Sequence, residues 1–241
     1  LSLEQPMNPP EVSQEVRSRL ALALDIDDLV EAGRLGRRMC PWFSVAKVGL
    51  ELFSASGPEA VGIFVDQGYD VFLDLKLHDI PTTVGKAARV LGSLGVSYVT
   101  AHASGGTQML SAAVDGLNEG ASAAGLTPPM VLAVTILTSD TDAPSGLFEE
   151  RLGYAVNADC GGVVCAASEL AQLSKLAPEL LPVVPGIRPE GTSSHDQGRP
   201  ATPAQAIRQG AGLLVIGRAV TESTHPEEAA ADIADEVART I

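Results

Sequence analysis

The segment "DVFLDLKLHDIPTTVGKAARVLGSLGVSYVTAHA" (residues 70–103) holds one complete strand–helix–strand unit. "DVFLDLKL" from Asp70 is an apolar run of strand length. "PTTVGKAARVLGSL" puts Val84, Ala87, Ala88 and Leu91 on one helical face, and "SYVTAHA" from Ser97 is strand-like again. Buried strands joined through a helix run parallel. The first run also breaks a rule, because Asp74 and Lys76 sit inside it, with His78 and Asp79 just behind. Buried strands keep charges out unless the charges are paired or used.

The same rhythm extends in both directions. Apolar runs begin at Leu20, Phe43, Asp70, Ser97, Met130, Gly161, Leu181 and Gly212, with spacings of 20 to 33 residues. Helical segments lie between them. "GGTQMLSAAVDGLNEG" aligns Leu110, Ala113, Val114 and Leu117, and its closing Gly120 suits a helix C-terminus. "ATPAQAIRQGA" offers Thr202 as a cap and Pro203 in the first turn. Eight strand–helix units in about 220 residues predict an α/β fold, a single-domain (β/α)8 TIM barrel. The competing open sheet would show a glycine-rich turn after its first strand. The first strand here runs into "LDIDDLVEAG", and no phosphate-cradling G-x-x-x-x-G-K-[ST] occurs.

The barrel is expected over residues 19–241, behind a flexible tail over 1–18 that opens with the proline-broken "LSLEQPMNPPE". Sixteen basic against thirty acidic side chains give a net charge of −14, which argues against a nucleic-acid or anionic-membrane partner. Three cysteines (Cys40, Cys160, Cys165) without CxxC spacing read as reduced thiols of a cytoplasmic protein. No stretch reaches membrane-spanning length, and no signal-peptide pattern is present.

Barrel active sites lie where the strands end. Asp25, Lys47, the Asp74–Lys76 pair, His102, Thr138, Ser139, Arg188, Gly217 and Arg218 all fall at those ends. Strand alternation turns Asp74 and Lys76 to one side, above Phe72, where opposite charges tolerate burial together. Asp79 has the other parity and must follow a turn before Pro81; spacing alone leaves open whether it serves this site or another subunit's. The long loop "IRPEGTSSHDQGRPATP" supplies Arg188, Gln197 and Arg199, and Gly217–Arg218 adds backbone N–H groups, a set suited to an anion such as phosphate. The four histidines (His78, His102, His195, His225) lack zinc-binding spacing. Asp74 and Asp79 could hold magnesium, but Lys76 and Lys47 oppose a cation there.

These residues resemble the orotidine 5′-phosphate decarboxylase family from about Leu20 to Thr221. "DLKLHDIP" carries the Asp-x-Lys-x-x-Asp signature. "LALD", "KVG", "HASGG", "VTILTS", "VPGIRPEG", "DQGRPATP" and "IGRAVT" follow the family's order and spacing. Thr82 departs from the Asn frequent in relatives, while Thr83 keeps the pattern. The resemblance implies cofactor-free decarboxylation of orotidine 5′-monophosphate to uridine 5′-monophosphate, the last step of de novo pyrimidine nucleotide synthesis, by a homodimer with sites at its interface. It implies a charged row of Lys47, Asp74 and Lys76, joined by Asp79 of the partner subunit. Asp25 and Lys47 would hold the ribose with the partner's Thr83, and Thr138 would meet the pyrimidine. Pro185 and the loop would close over the ligand. Arg188, Gln197, Gly217 and Arg218 would grip the phosphate, while His102 would only shape the floor. A magnesium-dependent sugar-phosphate decarboxylase or aldolase of a sister barrel, and a non-catalytic nucleotide-binding protein, are the alternatives.

Overall fold

Eight parallel strands close into a barrel in chain order. They are β1 (Leu20–Leu24), β2 (Val45–Gly49), β3 (Asp70–Leu77), β4 (Tyr98–His102), β5 (Met130–Val134), β6 (Gly162–Val164), β7 (Leu181–Val184) and β8 (Leu213–Ile216). Each begins within two residues of the expected position. β1 pairs with both β2 and β8, so no edge is left open. The computed structural model describes residues 12–137, 140, 142–189 and 201–241.

The alternation of side chains splits the core in two. Ala21, Ala23, Val45, Phe72, Leu132, Val183, Leu213 and Val215 fill the barrel interior. Phe72 meets Tyr98 edge-on, with ring centroids 6.1 Å apart, and forms part of a dry floor. The other face of each strand packs against the helices. Leu20, Leu22, Leu24, Val71, Leu73 and Val99 belong to that larger core and are all nearly inaccessible.

Local signals set the connections. After β1, the Asp28 side chain accepts from the N–H groups of Val30 and Glu31 at 2.8 and 2.9 Å and starts the helix Leu29–Met39. The helix Pro203–Arg208 starts as expected. Thr202 accepts from the Gln205 N–H, the Gln205 side chain accepts from the Thr202 N–H, and Pro203 opens the first turn.

Two expectations shift. Gly120 does not end its helix, which runs on to Ala124 and stops at Gly125, a left-handed residue with φ 70°. Gly120 instead lets this helix touch its neighbour Pro81–Gly92: a Cβ there would lie 1.9 Å from the Arg89 carbonyl oxygen. The tail expected through residue 18 is shorter. Gln14–Arg17 form a helical turn capped by Ser13, Val16 is buried, and the Arg17 carbonyl accepts from the Ser44 N–H at 3.1 Å. Residues 1–11 lie outside the described ones. No helix among the described residues is long and apolar enough to cross a membrane, and the three cysteines are free thiols.

Candidate active site

The ends of β1, β2 and β3 assemble four charges in alternating order. Asp25 follows β1, Lys47 lies in β2, and Asp74 and Lys76 lie in β3. Lys47 Nζ is 3.0 Å from Asp25 Oδ1 and 3.6 Å from Asp74 Oδ2. Lys76 Nζ donates to both oxygens of Asp74, at 2.8 and 2.9 Å. Lys47 is 7% exposed. A lone ammonium at that depth would be costly, and its two carboxylate neighbours are what make it tenable. Burial pushes the Asp74 carboxyl up. The charges of Lys47 and Lys76, with hydrogen bonds from Lys76 and Thr100, outweigh that and hold it below the usual carboxylate value.

Alternation alone does not place Lys76. The β3–β4 ladder pairs Leu73 with Val99 and then jumps to Leu77 with Ala101. Within that irregularity Lys76 takes φ 51°, a left-handed backbone unusual for a lysine. Its N–H donates to Thr100 Oγ1 at 2.8 Å, and Thr100 Oγ1 donates onward to Asp74 Oδ1 at 2.9 Å. Thr100 is fully buried. Nothing in the sequence marks it, because a threonine inside a strand is an ordinary β-former.

Gly49 is a second site residue that the sequence does not mark. A Cβ there would lie 2.6 Å from Asp25 Oδ1 and 3.1 Å from Lys47 Nζ, so the missing side chain makes the space for that ion pair. The only early hint was its position two residues after Lys47 at the strand end.

Two cavities open onto this row. A recess of about 200 Å³ lies against Lys47, Asp74 and Lys76, with Phe72, Val134, Ile136, Val164, Pro185 and Val215 as apolar walls. A cleft of about 770 Å³ shares Lys47, Pro185 and Val215 with it, and is lined by Asp25, Gly186, Arg188, Gly217 and Arg218. Arg34, Arg38, Glu31 and Glu222 also line this cleft. Arg188 is anchored: its N–H donates to the Ala201 carbonyl and its guanidinium to the Ile187 carbonyl, both at 2.9 Å. The Ile187–Ala201 bridge ties together the two sides of the long loop. Gly217 follows β8 and caps a short turn, Arg218–Thr221.

Other expected residues fall elsewhere. Asp79 lies beyond β3, is exposed, and accepts from the Ile80 N–H at 2.7 Å rather than joining the row. Thr83 is exposed in the first turn of Pro81–Gly92. Both lie next to Ile80, which is 66% exposed. His102 ends β4 with its ring centroid 5.5 Å from that of His78. Burial, then His78, Lys76 and Arg151, lower its pKa against the pull of Asp74, so its neutral form is favoured. Thr138, Ser139, His195, Gln197 and Arg199 lie outside the described residues. No group of three or more His, Cys, Asp or Glu side chains poised for a metal occurs among the described residues.

A recess with apolar walls and one side of alternating lysines and carboxylates, continuing into an arginine-lined cleft at the mouth of a (β/α)8 barrel, defines a barrel enzyme for a small anionic substrate. The family model "Orotidine 5′-phosphate decarboxylase / HUMPS family" matches residues 18–233, and the chain belongs to that family. It is 46% identical over 202 residues to an orotidine 5′-phosphate decarboxylase of Lactiplantibacillus plantarum, covering 79% of this chain and 85% of the relative. It is 41% identical over 238 residues to one of Moorella thermoacetica, covering 94% of each. The crystal structure of the Lactobacillus acidophilus orotidine 5′-phosphate decarboxylase superposes with a TM-score of 0.75 at 34% identity, over 91% of this chain and 99% of that one.

Proposed function

We propose that the protein converts orotidine 5′-monophosphate into uridine 5′-monophosphate and CO₂, the closing step of de novo pyrimidine nucleotide synthesis. The observation that carries this reading is the Lys47–Asp74–Lys76 row set against an apolar recess, in a chain whose relatives are decarboxylases.

The chemistry needs that arrangement. When the C6–carboxylate bond breaks, CO₂ leaves and its electron pair stays on C6, in the ring plane, where the π-system cannot spread it. The Lys76 ammonium stabilises this pair and then transfers a proton to it; the amine left behind is reprotonated from solvent. Unit charges about 4 Å apart interact by about 4 kcal/mol at an effective dielectric near 20. Enzymes lower barriers by about 8–23 kcal/mol, so Lys76 alone is too little. Asp74 fixes Lys76 in place and disfavours a second carboxylate beside it. Asp25 and Lys47 take the ribose. Arg188, Gly217, Arg218 and Gln197 take the phosphate, whose distant binding energy drives closure of the site beneath Pro185 and the loop. Thr138 meets the pyrimidine.

The acting form is a homodimer in which each subunit lends Asp79 and Thr83 to its partner's site. Their exposure beside the exposed Ile80 supports this reading, as does the absence of an intrachain ion pair to Asp79 among the described residues. The cytoplasm is the compartment that suits its free thiols.

The decisive experiment follows the loss of orotidine 5′-monophosphate absorbance with chelator present. The parent chain is expected to turn over under these conditions, and Lys76→Ala to lose nearly all activity. A requirement for added magnesium would favour a sister-barrel reaction instead.

A further inference from the structure

We propose that Thr100 is a positioning residue for the reaction, holding both the backbone of Lys76 and the carboxylate of Asp74 through a single hydroxyl. This inference rests on the decarboxylase reading and goes beyond it by assigning the part that sets the lysine's geometry.

The β3–β4 ladder is irregular around Lys76. Between the Leu73–Val99 and Leu77–Ala101 pairs the regular β3–β4 register is lost, and Lys76 is in register with no residue of β2 or β4. Lys76 also sits at φ 51°, a conformation that persists only where its surroundings impose it. The Thr100 hydroxyl accepts from the Lys76 N–H at 2.8 Å. Having accepted there, the oxygen directs its own hydrogen to Asp74 Oδ1 at 2.9 Å. Asp74 Oδ1 also receives Lys76 Nζ at 2.8 Å, which closes a ring from the Lys76 main chain through Thr100 and Asp74 to the Lys76 ammonium. Such a ring fixes the ammonium from both ends of its own residue.

Burial makes the arrangement exacting. Thr100 has no exposed surface, so no solvent molecule can replace its hydroxyl without repacking. Removing the hydroxyl strands the Lys76 N–H and strips one donor from Asp74, while leaving the arginine-lined cleft untouched. The contact between Thr100 and bound substrate is not needed for this role; Thr100 acts through Lys76 and Asp74.

The test compares Thr100→Val, which keeps the shape and removes the hydroxyl, with Thr100→Ser, which restores it. Activity is normalised to the number of sites that bind uridine 5′-monophosphate, so that unfolded protein does not count. Thr100→Val is expected to lose about 10- to 100-fold in kcat. Its affinity for uridine 5′-monophosphate, set at the cleft, stays within about twofold, and Thr100→Ser regains most of kcat. Should Thr100→Val not fold, Thr100→Ala is read the same way. Parent-like kcat in the hydroxyl-free variant overturns the proposal, as does a kcat loss matched by an equal loss of nucleotide affinity. A parent chain that never turns over orotidine 5′-monophosphate would instead overturn the functional reading. The positioning claim is then read from reductive methylation of Lys76, expected to be faster in Thr100→Val; an unchanged rate overturns it.

Discussion

Asp74 grips the ammonium of Lys76 with both carboxylate oxygens, at 2.8 and 2.9 Å, while Lys47 approaches from the other side at 3.6 Å. One carboxylate thus balances two cations in a partly dry recess. Replacing it removes the one carboxylate that pairs with both lysines among the described residues. With Lys76 no longer fixed, a loss of about 3 kcal/mol of transition-state stabilisation corresponds to about 100-fold in kcat. Asp74→Asn is therefore expected to fall by that factor in steady-state decarboxylation while keeping its barrel circular-dichroism spectrum. A loss under about tenfold would mean that the carboxylate's charge matters little.

The reach of the sequence ended where irregularity began. Strand positions were legible because each strand core is a continuous apolar run. Lys47, Asp74 and Lys76 stood out because they interrupt such runs. The geometry of Lys76 did not, since alternation assumes a regular ladder and the β3–β4 ladder is broken there. Gly120 was misread because the same letter serves a helix end and a close helix crossing, and only the Arg89 carbonyl beside it distinguishes the two. Thr100 carries no signal that separates it from any strand threonine. Gly49 acts through space between residues far apart in sequence.

Gly49 supplies the second prediction. A Cβ would press on Asp25 Oδ1 at 2.6 Å, but the Asp25 side chain is 57% exposed and can swing away at little cost. Lys47 keeps Asp74 as its partner. The strand-to-helix backbone at Gly49 has φ −91°, which alanine tolerates. Gly49→Ala is thus expected to change stability by less than about 1 kcal/mol. KM should rise about tenfold or more, from the loss of the charge-assisted ribose contact proposed for Asp25. Thermal melts and a KM–kcat comparison check both halves; a fall in kcat with KM unchanged would contradict the placement of Asp25.

Acid sensitivity follows from two lowered pKa values. His102 and Asp74 both bind protons more weakly in the folded than in the unfolded chain. In each case the unfolded state takes up the proton first as pH falls, so stability is fully present above the unfolded pKa and is lost down through the folded one. The first loss begins below about 6.5, the ordinary histidine value, and the second below the ordinary carboxylate value of 3.8. His102 faces His78, Lys76, Arg151 and Asp74, and three of these four disfavour its charge. Melting temperature should therefore drop in two stages on acidification, and His102→Gln should flatten the upper stage. A melting temperature independent of pH between 7 and 5 would refute the assignment.

The exposed Asp79 gives the sharpest test of assembly. It leaves β3 beyond Leu77 and accepts from its own neighbour's N–H, with the exposed Ile80 beside it. If it completes the partner's row, Asp79→Ala and Lys76→Ala each disable both sites of their own dimers. A mixed dimer of the two variants places both lesions in one site and leaves the other site with an intact Lys76 and an intact partner Asp79. Mixing the inactive proteins, with dissociation and reassembly, is then expected to restore activity. Random pairing makes about half the dimers mixed, each with one working site of two, so about a quarter of parental activity should return. If Asp79 instead served its own subunit's site, every site in every dimer would carry one lesion and no activity would return. An affinity tag on one variant, with capture of the untagged partner measured beside the assay, separates a failure to exchange subunits from a true negative.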